Sequence, residues 1–143
     1  MIELDRGFYD DIVAQARGDV PNEACGLIAA KEGVPARLYP MRNADESPTT
    51  YRFDAKEQYR VMGEIEDEGL EIYAIYHSHT HTEAFPSATD RRRAHREDPR
   101  TGELSAWFPG TRYLIVSLAE QEPVLRGFTF QDGEPVEEEV RIG

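Results

Sequence analysis

Residues 72–76, Ile-Tyr-Ala-Ile-Tyr, are apolar at every position, and the run stops at His77-Ser78-His79. A strand with one face in water alternates polar and apolar side chains, so an unbroken apolar run needs cover on both faces. This segment therefore predicts a strand over 70–79 that is buried on both sides and ends in histidine. The chain around it is long enough to supply the cover. Its 143 residues are about one domain's worth, and 39% hydrophobic with 31% charged residues is the balance of a globular protein.

The rest of the chain reads as a mixture of helix and strand. Phe8, Ile12, Val13 and Ala16 recur at helical spacing, with Gly18 as a stop. Residues 23–30 form a short apolar strand that turns at Lys31-Glu32-Gly33 into a second strand over 36–41. A polar loop holding Asn43, Ser47 and Pro48 follows. Asp54 and Glu57 then make a helix-start pair ahead of Tyr59, Met62 and Ile65, and Gly69 closes that helix. A third helix is expected over 87–96, a loop over 97–110 and a buried strand over 112–118. Strands over 124–130 and 134–142 complete a hairpin around Gln131-Asp132-Gly133. No repeat, low-complexity tract or linker interrupts this order, so residues 1–143 read as one α/β domain.

Charge and cysteine content narrow the function. Asp and Glu number 28 against 16 Lys and Arg, a net charge of −12 that repels phosphate backbones and argues against nucleic acid as a main partner. Cys25 is the single cysteine, which excludes an intramolecular disulfide and any Cys-x-x-Cys redox or thiolate-zinc site. Met1 to Arg6 is acidic where a secretory signal would be basic, and no apolar run reaches membrane-spanning length. A cytoplasmic location and no membrane partner are the expectation.

All four histidines, His77, His79, His81 and His95, fall within 19 residues. Side chains two apart on a strand share a face, so His77 and His79 project together and can share one metal ion. Asp90, in the expected first turn of a helix, would add a carboxylate and complete a set of two histidines and one aspartate with a fourth position open. An open position marks catalytic rather than structural zinc. Both parts of the pattern have plainer readings: a histidine pair at a strand end can be a surface feature, and Ser87-x-x-Asp90 is also a helix cap, with the carboxylate favoured there by the helix dipole.

The joint pattern, His77-x-His79, seven residues, Ser87-x-x-Asp90, with Glu23 upstream at a strand start, resembles the JAMM (MPN+) family of zinc metallopeptidases. Pro21 to Ile28 is similar to the family's glutamate-bearing strand, and Tyr76 to His79 with Ala84 to Asp90 to its zinc loop. Similarity continues through Asn43, Ser47-Pro48 and Tyr51 to the strand Tyr113–Leu118 and so covers nearly the whole chain. The resemblance implies a single MPN domain, a curved mixed β-sheet flanked by α-helices, cytidine-deaminase-like. It also implies Zn2+ held by His77, His79 and Asp90, Glu23 as the group that takes and returns protons, and Ser87 as hydrogen-bond donor to the oxyanion. Thr80 stands where many relatives have proline, and His81 behind it is placed outside the ligand set.

Within the family the chain looks most like actinobacterial peptidases that release cysteine from the C-terminus of a ubiquitin-like sulfur-carrier protein ending in Gly-Gly. That carrier is the expected partner and cysteine biosynthesis the expected setting, with a homodimer left open. Alternatives are a JAMM isopeptidase acting on another ubiquitin-like conjugate and a non-catalytic MPN scaffold. A zinc nucleobase deaminase is excluded because it needs a Pro-Cys-x-x-Cys motif. Trp107 and Phe108, in the expected loop, are candidates for contact with the carrier body or for simple packing, and Arg91, Arg92, Arg93, Arg96 and Arg100 form a local basic patch.

Overall fold

The computed structural model describes residues 1–143 as a six-stranded mixed sheet with helices on both faces. Strand β1 (Ile2–Leu4) leads into helix α1 (Arg6–Asp19). Strands β2 (Cys25–Lys31) and β3 (Val34–Met41) form a hairpin, and α2 (Ala55–Asp67) returns the chain to the central strand β4 (Glu71–His79). After α3 (Ala88–Arg93) come β5 (His95–Glu97), β6 (Leu104–Ala106), β7 (Arg112–Ser117), β8 (Val124–Gln131), β9 (Glu134–Glu138) and β10 (Val140–Ile142). The main sheet runs β3-β2-β4-β7-β8-β9, with β4 and β7 parallel and its other pairs antiparallel.

The apolar run at 72–76 is buried because the sheet carries a core on each side. Ala74 and Tyr76 of β4 pack with Ile12, Val13 and Ala16 of α1 and with Ile28 and Leu114. Ile75, on the opposite face, packs with Val61 and Ile65 of α2 and with Leu27 and Tyr113. His77 and His79 follow Ile75 in the two-residue alternation, so the strand delivers them to the α2 side of the sheet. Gly26 permits a close crossing beside them: a Cβ there would lie 2.2 Å from the Tyr76 hydroxyl and 2.5 Å from the Tyr39 carbonyl. Both sharp hairpins use two-residue turns with positive φ at each centre, Glu32 (51°) with Gly33 (80°) and Asp132 (52°) with Gly133 (78°), which matches the strand twist.

Three expectations are corrected. The third helix stops at Arg93 rather than Arg96, because His95 Nδ1 bonds to the Arg91 carbonyl and Ala94 O accepts from Trp107 N at 3.0 Å, turning the chain into β5. The segment 97–110 is therefore not a simple loop, since β6 pairs antiparallel with β5. The terminal strand is broken in two: β9 pairs with β8, whereas β10 pairs in parallel with β1, a strand formed by the acidic N-terminal segment. Residues this few carry no readable period, and their partners lie far away in sequence.

Candidate active site

The end of β4 and the start of α3 meet at one point. Ser87 caps α3 in both directions: its Oγ accepts from Asp90 N at 3.0 Å, and its own N donates to Asp90 Oδ2 at 3.0 Å. The reciprocal bonds hold the Asp90 carboxylate rigidly, so the capping reading and the ligand reading of this pair hold together. Asp90 Oδ2 lies 3.1 Å from His77 Nε2 and 3.1 Å from His79 Nε2, and the two imidazole nitrogens are 3.1 Å apart. All three residues are buried.

This triangle fits a metal ion. Bonds of 2.0–2.1 Å in tetrahedral geometry separate neighbouring ligand atoms by about 3.3 Å. His79 Nδ1 faces the Glu83 carbonyl at 2.7 Å, which can only accept, so the ring proton sits on Nδ1 and a lone pair on Nε2 points inward. A proton on His77 Nε2 could serve one contact of the triangle, leaving His79 Nε2 and Asp90 Oδ2 facing each other as acceptors. A cation at the centre satisfies all three. Burial lowers the His77 pKa and favours the neutral ring that a metal requires. Burial alone would raise Asp90, but the neighbouring histidines and the Ser87 N–H outweigh it and hold the carboxylate well below its usual range. For His79, bonding to Asp90 and Glu83 likewise outweighs burial and raises the ring's pKa.

Glu23 sits beside this triangle, just ahead of β2, whose Cys25 is paired with His77. Ser78 fixes the approach: its N donates to Ala24 O at 3.0 Å and its Oγ accepts from Ala24 N at 2.8 Å. Only 3% of Glu23 is exposed, and Oε1 has no hydrogen-bond partner in the protein. Burial raises its pKa to about 8, against the opposing pull of His79. A buried carboxylate without a partner is costly, and such groups concentrate at functional sites.

Several supporting residues carry roles that the sequence reading did not assign. Tyr51 stacks on His77 with centroids 4.4 Å apart and planes at 21°. Asn43 uses its whole bonding capacity: Nδ2 donates to Glu23 O and Thr50 O, while Oδ1 accepts from Asp45 N and Arg52 N. In the sequence Asn43 and Tyr51 carry part of the family similarity, but residue type alone does not announce a buried hub or a stacking ring. His81 is exposed and lies outside the cluster. His95 is buried against Phe130, away from the triangle. Trp107 is 57% exposed, whereas Phe108 packs on the α2-side core.

Two imidazoles and a carboxylate that could hold a metal ion, next to an unpartnered carboxylate on a mixed sheet covered by helices, form an arrangement suited to metal-assisted hydrolysis. The family model described as prokaryotic homologs of the JAB domain matches residues 5–130, and the chain belongs to that family. It is 41% identical to the CysO-cysteine peptidase of Mycobacterium tuberculosis over 92% of this chain and 84% of the relative. It is 34% identical to a desampylase of Haloferax volcanii over 76% and 74% of the two chains. A solution structure from Desulfitobacterium hafniense superposes with a TM-score of 0.82 at 34% identity, covering 100% of this chain and 93% of that one. A JAB1/MPN domain protein from Archaeoglobus fulgidus shares the fold at a TM-score of 0.59. None of the helices is long and apolar enough to cross a membrane.

Proposed function

We propose that the chain is a zinc-dependent hydrolase that cuts the amide bond between the C-terminal glycine of a ubiquitin-like sulfur-carrier protein and cysteine, releasing cysteine. The observation that carries the chemistry is the 3.1 Å triangle of His77 Nε2, His79 Nε2 and Asp90 Oδ2 beside buried Glu23. The similarity to a CysO-cysteine peptidase over most of both chains supports the substrate.

His77, His79 and Asp90 are the residues that would hold zinc. Bound there, zinc supplies a Lewis acid that makes water acidic near neutral pH. Glu23 Oε1, unclaimed by any other donor, takes the water's proton and returns it to the departing amine. The amide is thereby split into a carboxylate and a free amino group, with water's atoms divided between them. Ser87 Oγ accepts from Asp90 N, which leaves its own hydrogen free to donate to the carbonyl oxygen as negative charge develops there. The Glu83 carbonyl keeps the His79 ring in its inward-facing tautomer, and Tyr51 keeps the His77 ring flat against it.

The test is to load purified protein with zinc and follow release of cysteine from a carrier–cysteine adduct by mass spectrometry. Cysteine release that disappears on chelation supports the reading; no release from the adduct by zinc-loaded protein overturns it. The second reading, an isopeptidase for another ubiquitin-like conjugate, is favoured by the desampylase relative. Cleavage of a carrier–lysine isopeptide in preference to the cysteine adduct would select it.

A further inference from the structure

A cavity of about 420 Å3 adjoins the triangle at Tyr51, whose ring stacks on His77 and also lines the cavity. Its walls are mostly apolar, with Phe53, Ile75, Phe108 and Tyr113 inside and half-exposed Trp107 at the rim, and Gln58 and His95 add polar lining. Two arginines, Arg52 and Arg93, are its charged lining residues, and no carboxylate lines it, on a chain of net charge −12. One carboxylate, Asp45, serves both: Oδ1 accepts from Arg52 Nε at 3.1 Å and Oδ2 from Arg93 Nη1 at 2.5 Å. Two positive charges against one negative charge leave a net positive mouth. Arg93 Nη1 also reaches the Tyr51 carbonyl at 3.0 Å, which leaves Nε and Nη2 of the guanidinium without protein partners.

The position of Arg93 relative to the chemistry follows from the helix. Asp90 and Arg93 are three residues apart on α3 and so lie on one face, about 5–6 Å apart at Cβ. The Arg93 charge also acts on Glu23, pulling that carboxyl's pKa down against burial. A bond cut next to Asp90, with its amine leaving toward Glu23, would place the group beyond that amine near Arg93.

We propose that this cavity is the subsite for the leaving residue, and that Arg93 recognises that residue's free α-carboxylate while the aromatic walls take its side chain. The proposal rests on the peptidase reading above and deepens it. It makes the enzyme selective for bonds followed by a C-terminal amino acid, over the lysine side chain of a folded protein, which brings no carboxylate to Arg93. The volume also admits side chains larger than that of cysteine.

The probes are acetyl-Gly-Gly-Cys and its C-terminal amide, which differ in the charge at issue. With zinc-loaded wild type, kcat/KM should be about 10- to 100-fold higher for the acid, the range of one charge-assisted hydrogen-bonding pair. Arg93→Gln should bring the acid-to-amide ratio near one whatever happens to the absolute rates, and Arg93→Lys should restore part of the preference. Equal rates on acid and amide by wild type, or an unchanged acid-to-amide ratio in Arg93→Gln, overturn the proposal. Binding of both probes to zinc-loaded Glu23→Gln protein separates the two readings: tighter binding of the acid supports the subsite even if neither probe is cleaved, and equal binding refutes it. Failure to cleave the carrier adduct counts only against the peptidase assignment.

Discussion

The two faces of β4 are built from one segment of nine residues and serve opposite ends. On the α1 side Tyr76 is buried and its hydroxyl donates to Gln15 Oε1 at 2.6 Å, while Gln15 Nε2 donates to the Cys25 carbonyl at 2.9 Å. Every polar atom on that path has a partner, and the remaining contacts are apolar. On the α2 side, past Ile75, the same strand brings two imidazoles toward a carboxylate, acceptor to acceptor, next to a glutamate oxygen with no partner. One face is satisfied and adds stability. The other gives up stability to hold groups that can act on something else, as expected where chemistry is performed.

The largest effect should come from the acceptor face: His77→Ala or Asp90→Ala should abolish turnover and lower zinc content from about one per chain, while far-ultraviolet dichroism stays native. Full zinc in either variant would remove that residue from the ligand set, and zinc lost in His81→Ala but kept in His79→Ala would shift the set by one strand repeat. Next, Glu23→Gln should keep the zinc and lose about 10²- to 10⁴-fold in kcat. On the satisfied face the sign is reversed: Leu114→Ala, at 0% exposure, should cost about 2–5 kcal/mol of stability in denaturant titration, with kcat unchanged where the variant is folded. Tyr76→Phe should cost about 1 kcal/mol, since it leaves Gln15 Oε1 without its donor, again at constant kcat.

A pH dependence follows from the difference between Gln15, which is fully bonded, and Glu23, which is not. Burial raises Glu23 to about 8 in the folded chain from an ordinary value of 4.5, so between those values the native state binds more protons than the unfolded state. The stability of metal-free protein should therefore fall as pH rises from about 5 to about 8. Glu23→Gln should flatten that part of the profile in thermal melts. An unchanged slope in the variant would show that Glu23 is not the group responsible.

Elements with a local signal are legible in the residues alone. The unbroken run at 72–76 required two covered faces, the spacing of Ile12, Val13 and Ala16 described α1, and Asp54 with Glu57 marked the start of α2, where Asp54 Oδ2 accepts from Glu57 N at 3.1 Å. His77-x-His79 could be assigned to one face because strand geometry has a period of two. Other features depend on partners distant in the chain and arise only on folding. Strand β1 exists because β10 lies beside it, and α3 ends at Arg93 because the Ala94 carbonyl bonds to Trp107. The burial of Glu23 follows from the sheet register that sets Cys25 against His77, and the cavity from packing Tyr51, Phe53 and Phe108 around Ile75. A residue's type states what it can donate or accept. Whether it is left with an unmet hydrogen bond in a dry place is a property of everything packed around it, and at Glu23 that surrounding is supplied by β2, β4, α3 and the loop carrying Asn43 and Ser47.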